Sequence, residues 1–391
     1  IGIMTLSSFP LAYLPVAATL KRLDRSLEEV SLSLAKSHAY TFWHAIFPQL
    51  KPAIGSSVLL IALHMLVDFG AVSILNYQTF TTAIFQEYEM AFNNNTAALL
   101  SGVLMVICIL VVMGEIRFRG TQTLYQSGKG VIRPYPLKML SAGKQILVVS
   151  FFTTIFVLSI GVPITMLIYW LTVGSSIEGA VDEGAVDFGE FFTAFTNSLT
   201  ISTLGAALTV ICALPLVWAA VRYRSKLTIW LDRIPYLLHA VPGLVIALSL
   251  VFFTINYAYS LYQTFAMVIV AYFMLYLPMA QTTLRSSLEQ MSSNIEKVGQ
   301  SLGRSNFYIF RTLVIPAMLP GIAAAFALVF LNLMKELTAT LLLTPNDIKT
   351  LSTAVWEYTS DAQYAAATPY AIMLVLFSGI PVFLLKRYGF K

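Results

Sequence analysis

Apolar residues fall along this chain in long blocks separated by short polar stretches. Nine blocks are read, at residues 1–19, 54–75, 96–114, 145–171, 193–220, 234–255, 264–284, 317–343 and 367–385. About 20 residues of helix cross a hydrocarbon core about 30 Å thick, so each block is long enough to span a bilayer. Only helices and closed barrels satisfy their backbone polar groups in lipid. The expected fold class is therefore an all-α, polytopic transmembrane protein.

The polar stretches carry the topology. If the stretch after the first span is cytoplasmic, it holds Lys21, Arg22, Arg25, Lys36 and Lys51 on that side. The alternation then gathers Arg117, Arg119, Lys129, Arg133, Lys138 and Lys144 inside, then Arg222, Arg224, Lys226 and Arg233, then Arg285, Lys297, Arg304 and Arg311, and last Lys386, Arg387 and Lys391. Outside falls Lys349, with an acidic stretch at 172–192 that has no Lys or Arg. Basic residues on the cytoplasmic side are the rule for membrane helices, so the C-terminus is expected in the cytoplasm. Hydrophobic residues make up 58% of the chain and charged ones 11%. A soluble domain carries roughly a quarter charged residues, so this composition excludes bulk water as solvent. The net charge of +5 is thus a matter of topology, and no nucleic-acid partner is expected. Cys108 and Cys212 both lie in apolar blocks and suggest neither a disulfide framework nor a metal site.

An internal repeat organises the blocks. Residues 27–54 align without gaps on 295–322: Ser33, Leu34, Ser37, Phe42, Pro48, Pro52 and Ile54 recur as Ser301, Leu302, Ser305, Phe310, Pro316, Pro320 and Ile322, at an offset of 268. The offset carries Leu63, Asp68 and Ala71 onto Leu331, Glu336 and Ala339. Upstream, Tyr13, Leu14 and Pro15 match Tyr276, Leu277 and Pro278. Both copies share one orientation, so the repeat is parallel, about an axis along the membrane normal. The expected division is a first half at 1–114 holding three spans, a linker at 115–144 rich in Gly, Ser, Pro and basic residues, and a second half at 145–391 holding six. Three further spans, twelve in all, are expected upstream of Ile1, because the second copy has three ahead of its matching region. Gly128 and Lys129 do not form a phosphate loop, since no glycine precedes them at the required spacing.

Each repeated polar loop starts with acidic residues, breaks at a small residue and resumes as an aromatic-rich helix ending at Pro. The pattern predicts a helix-turn-helix on the membrane surface, with Gly303 at one break and Ala35 at the other. An isolated loop of this kind reads equally as an interfacial amphipathic element. Two at matched positions point to docking elements.

These loops, EEVSLSLA with Phe47-Pro48 and EKVGQSLG with Ile315-Pro316, resemble the cytoplasmic loop of the permeases of binding-protein-dependent ABC importers. The resemblance covers nearly the whole chain and implies the type I permease fold. It also implies a bacterial inner membrane location, two ATPase subunits docked on the loops, a periplasmic binding protein that delivers the substrate, and no cofactor or enzyme activity in this subunit. Glu28, Glu29, Ala35 and Ser37 would face one ATPase, and Glu296, Gly303 and Ser305 the other. Ala35 stands where the pattern has glycine, and Lys297 and Gly299 where it has an acid and an alanine. The stretches from Val67 (VDFGAVSILNYQTFTTAIFQEY) and from Leu333 (LMKELTATLLL onwards) resemble segments of fused ferric-iron permeases. Thiamine permeases share the fused layout, so that substrate, or another small solute, is the alternative.

Charges inside spans cost about 2.5–3.5 kcal/mol at mid-helix on insertion scales. His64 and Asp68, and likewise Asn332 and Glu336, are four apart, so two equivalent polar ridges are expected to line or gate a pathway or to join the halves. Lys335 points elsewhere on its helix. His38, His44, His64 and His239 are scattered and form no metal site; where a separate protein selects the substrate, the permease needs only a passage. Tyr257, Tyr259 and Tyr262 and the acidic residues at 178–190 are candidates for contact with that protein, or an aromatic belt and a solvated loop. A secondary transporter or channel would explain the hydropathy and the repeat, but not the paired loops. A membrane enzyme finds no nucleophile and base pair or metal cluster to support it.

Overall fold

In a computed structural model the chain is helical throughout, with no strand among the described residues. The structure describes residues 1–23, 26–120, 141–173, 187–223, 225–238, 241–292 and 294–389. Most of the linker, the acidic residues 174–186, His239 and the basic residues Arg25, Lys129, Arg133, Lys138, Arg224 and Lys391 lie outside them.

The helices are α1 (Gly2–Arg22), α2 (Ser26–Ser33), α3 (His38–Thr41), α4 (Phe47–Val67), α5 (Gly70–Ile74), α6 (Phe80–Glu89), α7 (Asn94–Gly120), α8 (Ala142–Phe156) and α9 (Val162–Val173). Then follow α10 (Phe188–Arg222), α11 (Lys226–Leu238), α12 (Gly243–Tyr257), α13 (Phe265–Gln290), α14 (Asn294–Ser301), α15 (Asn306–Ile309), α16 (Ile315–Ala317), α17 (Leu319–Met334), α18 (Thr338–Leu343), α19 (Leu351–Ser360) and α20 (Tyr364–Gly389). The repeat is visible element by element, α1 to α7 recurring as α13 to α20, with α4 matched by α16 and α17 together. Even small features recur. π-Helical turns join α3 to α4 (Phe42–Ile46) and α15 to α16 (Phe310–Val314). Reciprocal threonine caps start α6 (Thr79 with Thr82) and α19 (Thr350 with Thr353).

Six described helices are long and apolar enough to cross a membrane, seven if a bent pair counts as one span. The sixth and ninth expected spans contain shorter apolar helices, Gly243–Tyr257 and Tyr364–Gly379. Breaks account for much of the difference from the sequence expectation. The block at 54–75 is interrupted where Asp68 leaves the helix with ψ 124. The block at 317–343 is interrupted after Met334, and its approach from α15 bends by 72° at Met318. Pro316 and Pro320 flank that bend, and neither supplies the N–H that a continuous helix needs. Between α11 and α12, Pro242 acts likewise.

The chain packs as two compact units, Ile1–Asp68 with Thr79–Ile168, and Phe69–Gln78 with Tyr169–Lys391. In the first, α4 lies between α1 and α7. Ala97, Leu104 and Cys108 form the buried face of α7, while Leu99, Val106 and Leu110 on its other face are exposed, as a lipid-facing helix requires. In the second, α10 runs along α13 and α17, and Phe191, Ala194, Met334, Leu351, Ala354 and Tyr370 form one apolar cluster.

Candidate functional site

The two surface loops have one backbone geometry. α2 ends in Ala35 at φ 56 and α14 in Gly303 at φ 71, both left-handed. Ala35 N–H donates to Leu32 O (3.0 Å) and Lys36 N–H to Ser31 O (3.3 Å). In the second copy Gly303 N–H donates to Gln300 O (2.9 Å) and Arg304 N–H to Gly299 O (3.2 Å). Each is a Schellman closure, which uses up the free carbonyls at a helix end. The next helix starts two residues on, where the hydroxyls of Ser37 and Ser305 accept from Tyr40 N–H (3.2 Å) and Tyr308 N–H (3.3 Å). Serine at this position satisfies one of the first-turn donors. A cation then lies over the tyrosine in both: Lys36 Nζ 5.1 Å from the Tyr40 ring, Arg304 Cζ 4.9 Å from that of Tyr308.

The two arms of each loop are held together by matched contacts of different chemistry. Ser31 Oγ and Thr41 Oγ1 are 2.7 Å apart. Their counterparts 268 residues on are Gly299 and Ile309, where a Cβ on the glycine would stand 2.9 Å from Ile309 Cγ1. A hydrogen bond in one copy is thus replaced by close apolar packing in the other.

Ala35 carries a Cβ in a conformation that costs an L-residue about 1–2 kcal/mol, so Ala35→Gly is expected to stabilise the first loop by about 0.5–1 kcal/mol after its extra unfolded-chain entropy. Nothing lies within 4 Å of where a Cβ on Gly303 would go, so Gly303→Ala is expected to destabilise the second loop by about 1 kcal/mol through conformation alone. Amide hydrogen exchange across residues 31–41 and 299–309 measures both.

The acidic residues of the loops are not alike. Glu29 is exposed, and Glu28 is half-buried with Oε1 4.0 Å from His38 Nδ1. Glu296 is only 6% exposed and faces inward: Arg222 Nε donates to Oε1 at 2.7 Å, and Trp218 Nε1 to Oε2 at 3.3 Å. Beside exposed polar residues, the loops present apolar or aromatic side chains at matched positions of the repeat. Val30 and Val298, Leu34 and Leu302, and Tyr40 and Tyr308 are all exposed.

The polar residues of the spans gather at the breaks. His64 is exposed in the last turn of α4, and Asp68 N–H still donates to its carbonyl (3.1 Å). Asn332 donates to Leu328 O (2.8 Å) inside α17, whereas Glu336 stands beyond the end of that helix, so this pair does not share a helix face. The break changes the reason Glu336 is there. Its carboxylate accepts from Ala339 N–H (2.9 Å), at the start of α18, and from Tyr276 OH (3.0 Å). Lys335 is exposed. The carbonyls of the two breaks are held alike, Asp68 O by Thr81 Oγ1 (2.8 Å) and Glu336 O by Ser352 Oγ (2.9 Å). Within the second unit the segments that follow the two breaks also touch. A Cβ on Gly70 would lie 3.3 Å from Leu337 Cδ2, and Trp356 Nε1 donates to Ser73 Oγ at 3.0 Å.

Lys349, on sequence merely the lone basic residue of the outer loops, bridges Glu190 (2.9 Å) and Glu357 (3.0 Å). Burial works against its charge, but the two carboxylates prevail and hold its ammonium above the usual lysine range. Trp218, Ser73 and Trp356 carried no signal in the sequence and Arg222 only a topological one, because the groups they hydrogen-bond are 66 or more residues away.

A multi-pass helical chain with a parallel duplication and two matched surface loops has the architecture of a transport permease. It belongs to the family of binding-protein-dependent transport system inner membrane components, whose model matches residues 1–116 and 208–388. It is 80% identical over all 391 residues to the "Fe(3+)-transport system permease protein FbpB 2" of Haemophilus influenzae, spanning 76% of that relative. It is 23% identical over 379 residues to the "Ferric transport system permease protein FbpB" of Actinobacillus pleuropneumoniae, covering 94% of this chain and 55% of the relative. Among solved structures, a bacterial alginate ABC transporter in complex with an alginate pentasaccharide-bound periplasmic protein aligns with a TM-score of 0.49 and 17% identity, covering 62% of this chain and 93% of that one.

Proposed function

We propose that this chain is the membrane-spanning subunit of an ATP-driven importer that passes ferric iron, handed over by a periplasmic binding protein, across a bacterial inner membrane. The similarity to a ferric-iron permease over the full chain supports the substrate. The observation that carries the coupling is the pair of helix-turn-helix loops in which three exposed apolar or aromatic residues recur at matched positions, Val30, Leu34 and Tyr40 with Val298, Leu302 and Tyr308. Apolar side chains exposed at equivalent places in two copies fit two equivalent partners, here one ATPase subunit on each loop. In this reading Glu29, Ala35, Ser37, Gly303 and Ser305 shape or line the docking surfaces. Glu28 and Glu296 hold the loops.

The halves are taken as 1–114 and 145–391, joined by a cytoplasmic linker, with the loops and the C-terminus in the cytoplasm and the nine expected spans retained. His64 and Asp68 in the first copy, and Asn332, Lys335 and Glu336 in the second, are taken to line or gate the substrate's path, and Lys349 with Glu190 faces the periplasm.

Uptake of labelled ferric iron by cells with and without the gene tests the substrate, with thiamine, polyamines and sulfate as competitors. Loss of iron uptake without the gene, unaffected by the competitors, is expected; equal uptake in both strains rules iron out. Co-purification of an ATPase subunit with the full protein tests the class. Persistent absence of one would move the chain to an ATP-independent transporter.

A further inference from the structure

One helix joins the second loop to the far side of its unit. Arg222, the last residue of α10, donates through Nε to Glu296 and through a terminal nitrogen to Met291 O (3.1 Å) at the end of α13. One turn earlier Trp218 takes the other carboxylate oxygen of Glu296, and its ring lies 4.7 Å from that of Phe310, beyond the second arm of the loop. Residues four apart share a helix face, so α10 grips both arms at once.

The other end of α10 is gripped as firmly. Asn197 Nδ2 donates to Lys349 O (3.0 Å), Leu351 N–H donates to Ser198 Oγ (2.7 Å), and Glu190 pairs with Lys349. At 1.5 Å per residue, Glu190 and Arg222 stand about 50 Å apart along the helix. The gripped segment leads into α19, where Ser352 holds the carbonyl of Glu336 and, a turn later, Trp356 reaches Ser73. Contacts therefore run without a gap from the docking loop, along α10, to the break at Glu336.

We infer that α10 is the transmission rod of the second half, with Trp218 and Arg222 as positioning residues that convert movement of the docking loop into movement of the 344–352 segment and the break at Glu336. The inference rests on the docking function proposed above for the loops. Pulling the loop away from α10 would leave the Glu296 carboxylate buried without its cation, which is the costlier alternative. The loop and the helix therefore move together. Contiguity alone does not establish coupling; a change at one end that alters the other does.

The experiment uses the full protein with its ATPase and binding protein in lipid vesicles, with Cys108→Ser and Cys212→Ser as background. Asp347→Cys, at an exposed position of the far segment, reports through its rate of labelling by a membrane-impermeant maleimide. A non-hydrolysable ATP analogue is expected to change that rate severalfold. Arg222→Gln, and the milder Trp218→Phe, which keeps an aromatic ring but loses the Nε1 donor, are each expected to abolish most of the change. ATPase subunits should still co-purify and basal ATP hydrolysis should persist. Charge exchange, Arg222→Glu with Glu296→Arg, should restore part of the response. A nucleotide response that survives in Trp218→Phe and Arg222→Gln overturns the rod, as does an unresponsive position 347 in the otherwise unaltered protein. Loss of ATPase subunits from the two variants alone also overturns it, because the residues would then act on docking. Absence of an ATPase from the unaltered protein defeats the docking reading itself, and the rod with it.

Discussion

Glu296→Ala is expected to destabilise the protein by about 3–5 kcal/mol, because it leaves the half-buried Arg222 guanidinium and the Trp218 N–H facing a cavity where a buried carboxylate stood. Thermal unfolding in lipid nanodiscs without any ATPase reads this directly. The control is Glu29→Ala, at an exposed position in the first loop, for which the expected change in stability is within about 1 kcal/mol. The contrast separates two roles that the sequence pattern gives to one residue type. An acid that contacts the ATPase weakens retention of that subunit when replaced and leaves unfolding unchanged. An acid that anchors the loop lowers the unfolding temperature with or without the ATPase. Equal unfolding of the Glu296→Ala and unaltered proteins would return Glu296 to the docking surface.

Glu336→Ala is the second large effect. It removes the acceptor for Tyr276 OH and for Ala339 N–H, and each buried group left without a partner costs about 1–3 kcal/mol. The first turn of α18 then loses its cap, and transport is expected to fall at least tenfold. Glu336→Gln keeps a carbonyl acceptor of the same length and is expected to retain most of the stability. Transport rate and thermal inactivation of the two variants, side by side, decide the role. Equal damage from both substitutions would show that the negative charge matters, and that the hydrogen bonds do not.

These expectations differ from what the sequence alone supports, and the differences have physical causes. Spacing of four put Asn332 and Glu336 on one face of a continuous helix, as periodicity arguments assume. The helix stops at Met334, so Glu336 caps the short helix that follows. Hydropathy cannot register such a break, since the residues on both sides of it are apolar. The acids of the loops likewise all read as docking residues, although Glu296 turns toward α10 while Glu29, which aligns with Lys297, is exposed. That choice is made by Arg222, 74 residues upstream, which sequence reasoning had assigned only to the membrane's basic side.

Much was nevertheless legible in the chain itself. Long apolar blocks dictate helices in lipid because no other open structure there can satisfy its backbone. The offset of 268 brought out the two loops, and their small residues before a serine marked the left-handed turn and the cap that follow, Ala35 with Ser37 and Gly303 with Ser305. Such features are local, set by a few neighbouring residues. Tertiary structure alone decided which partners meet across long separations: Arg222 with Glu296, Lys349 with Glu190, and Trp356 with Ser73. No periodicity encodes those pairs, because each depends on where several separately formed helices come to rest against one another.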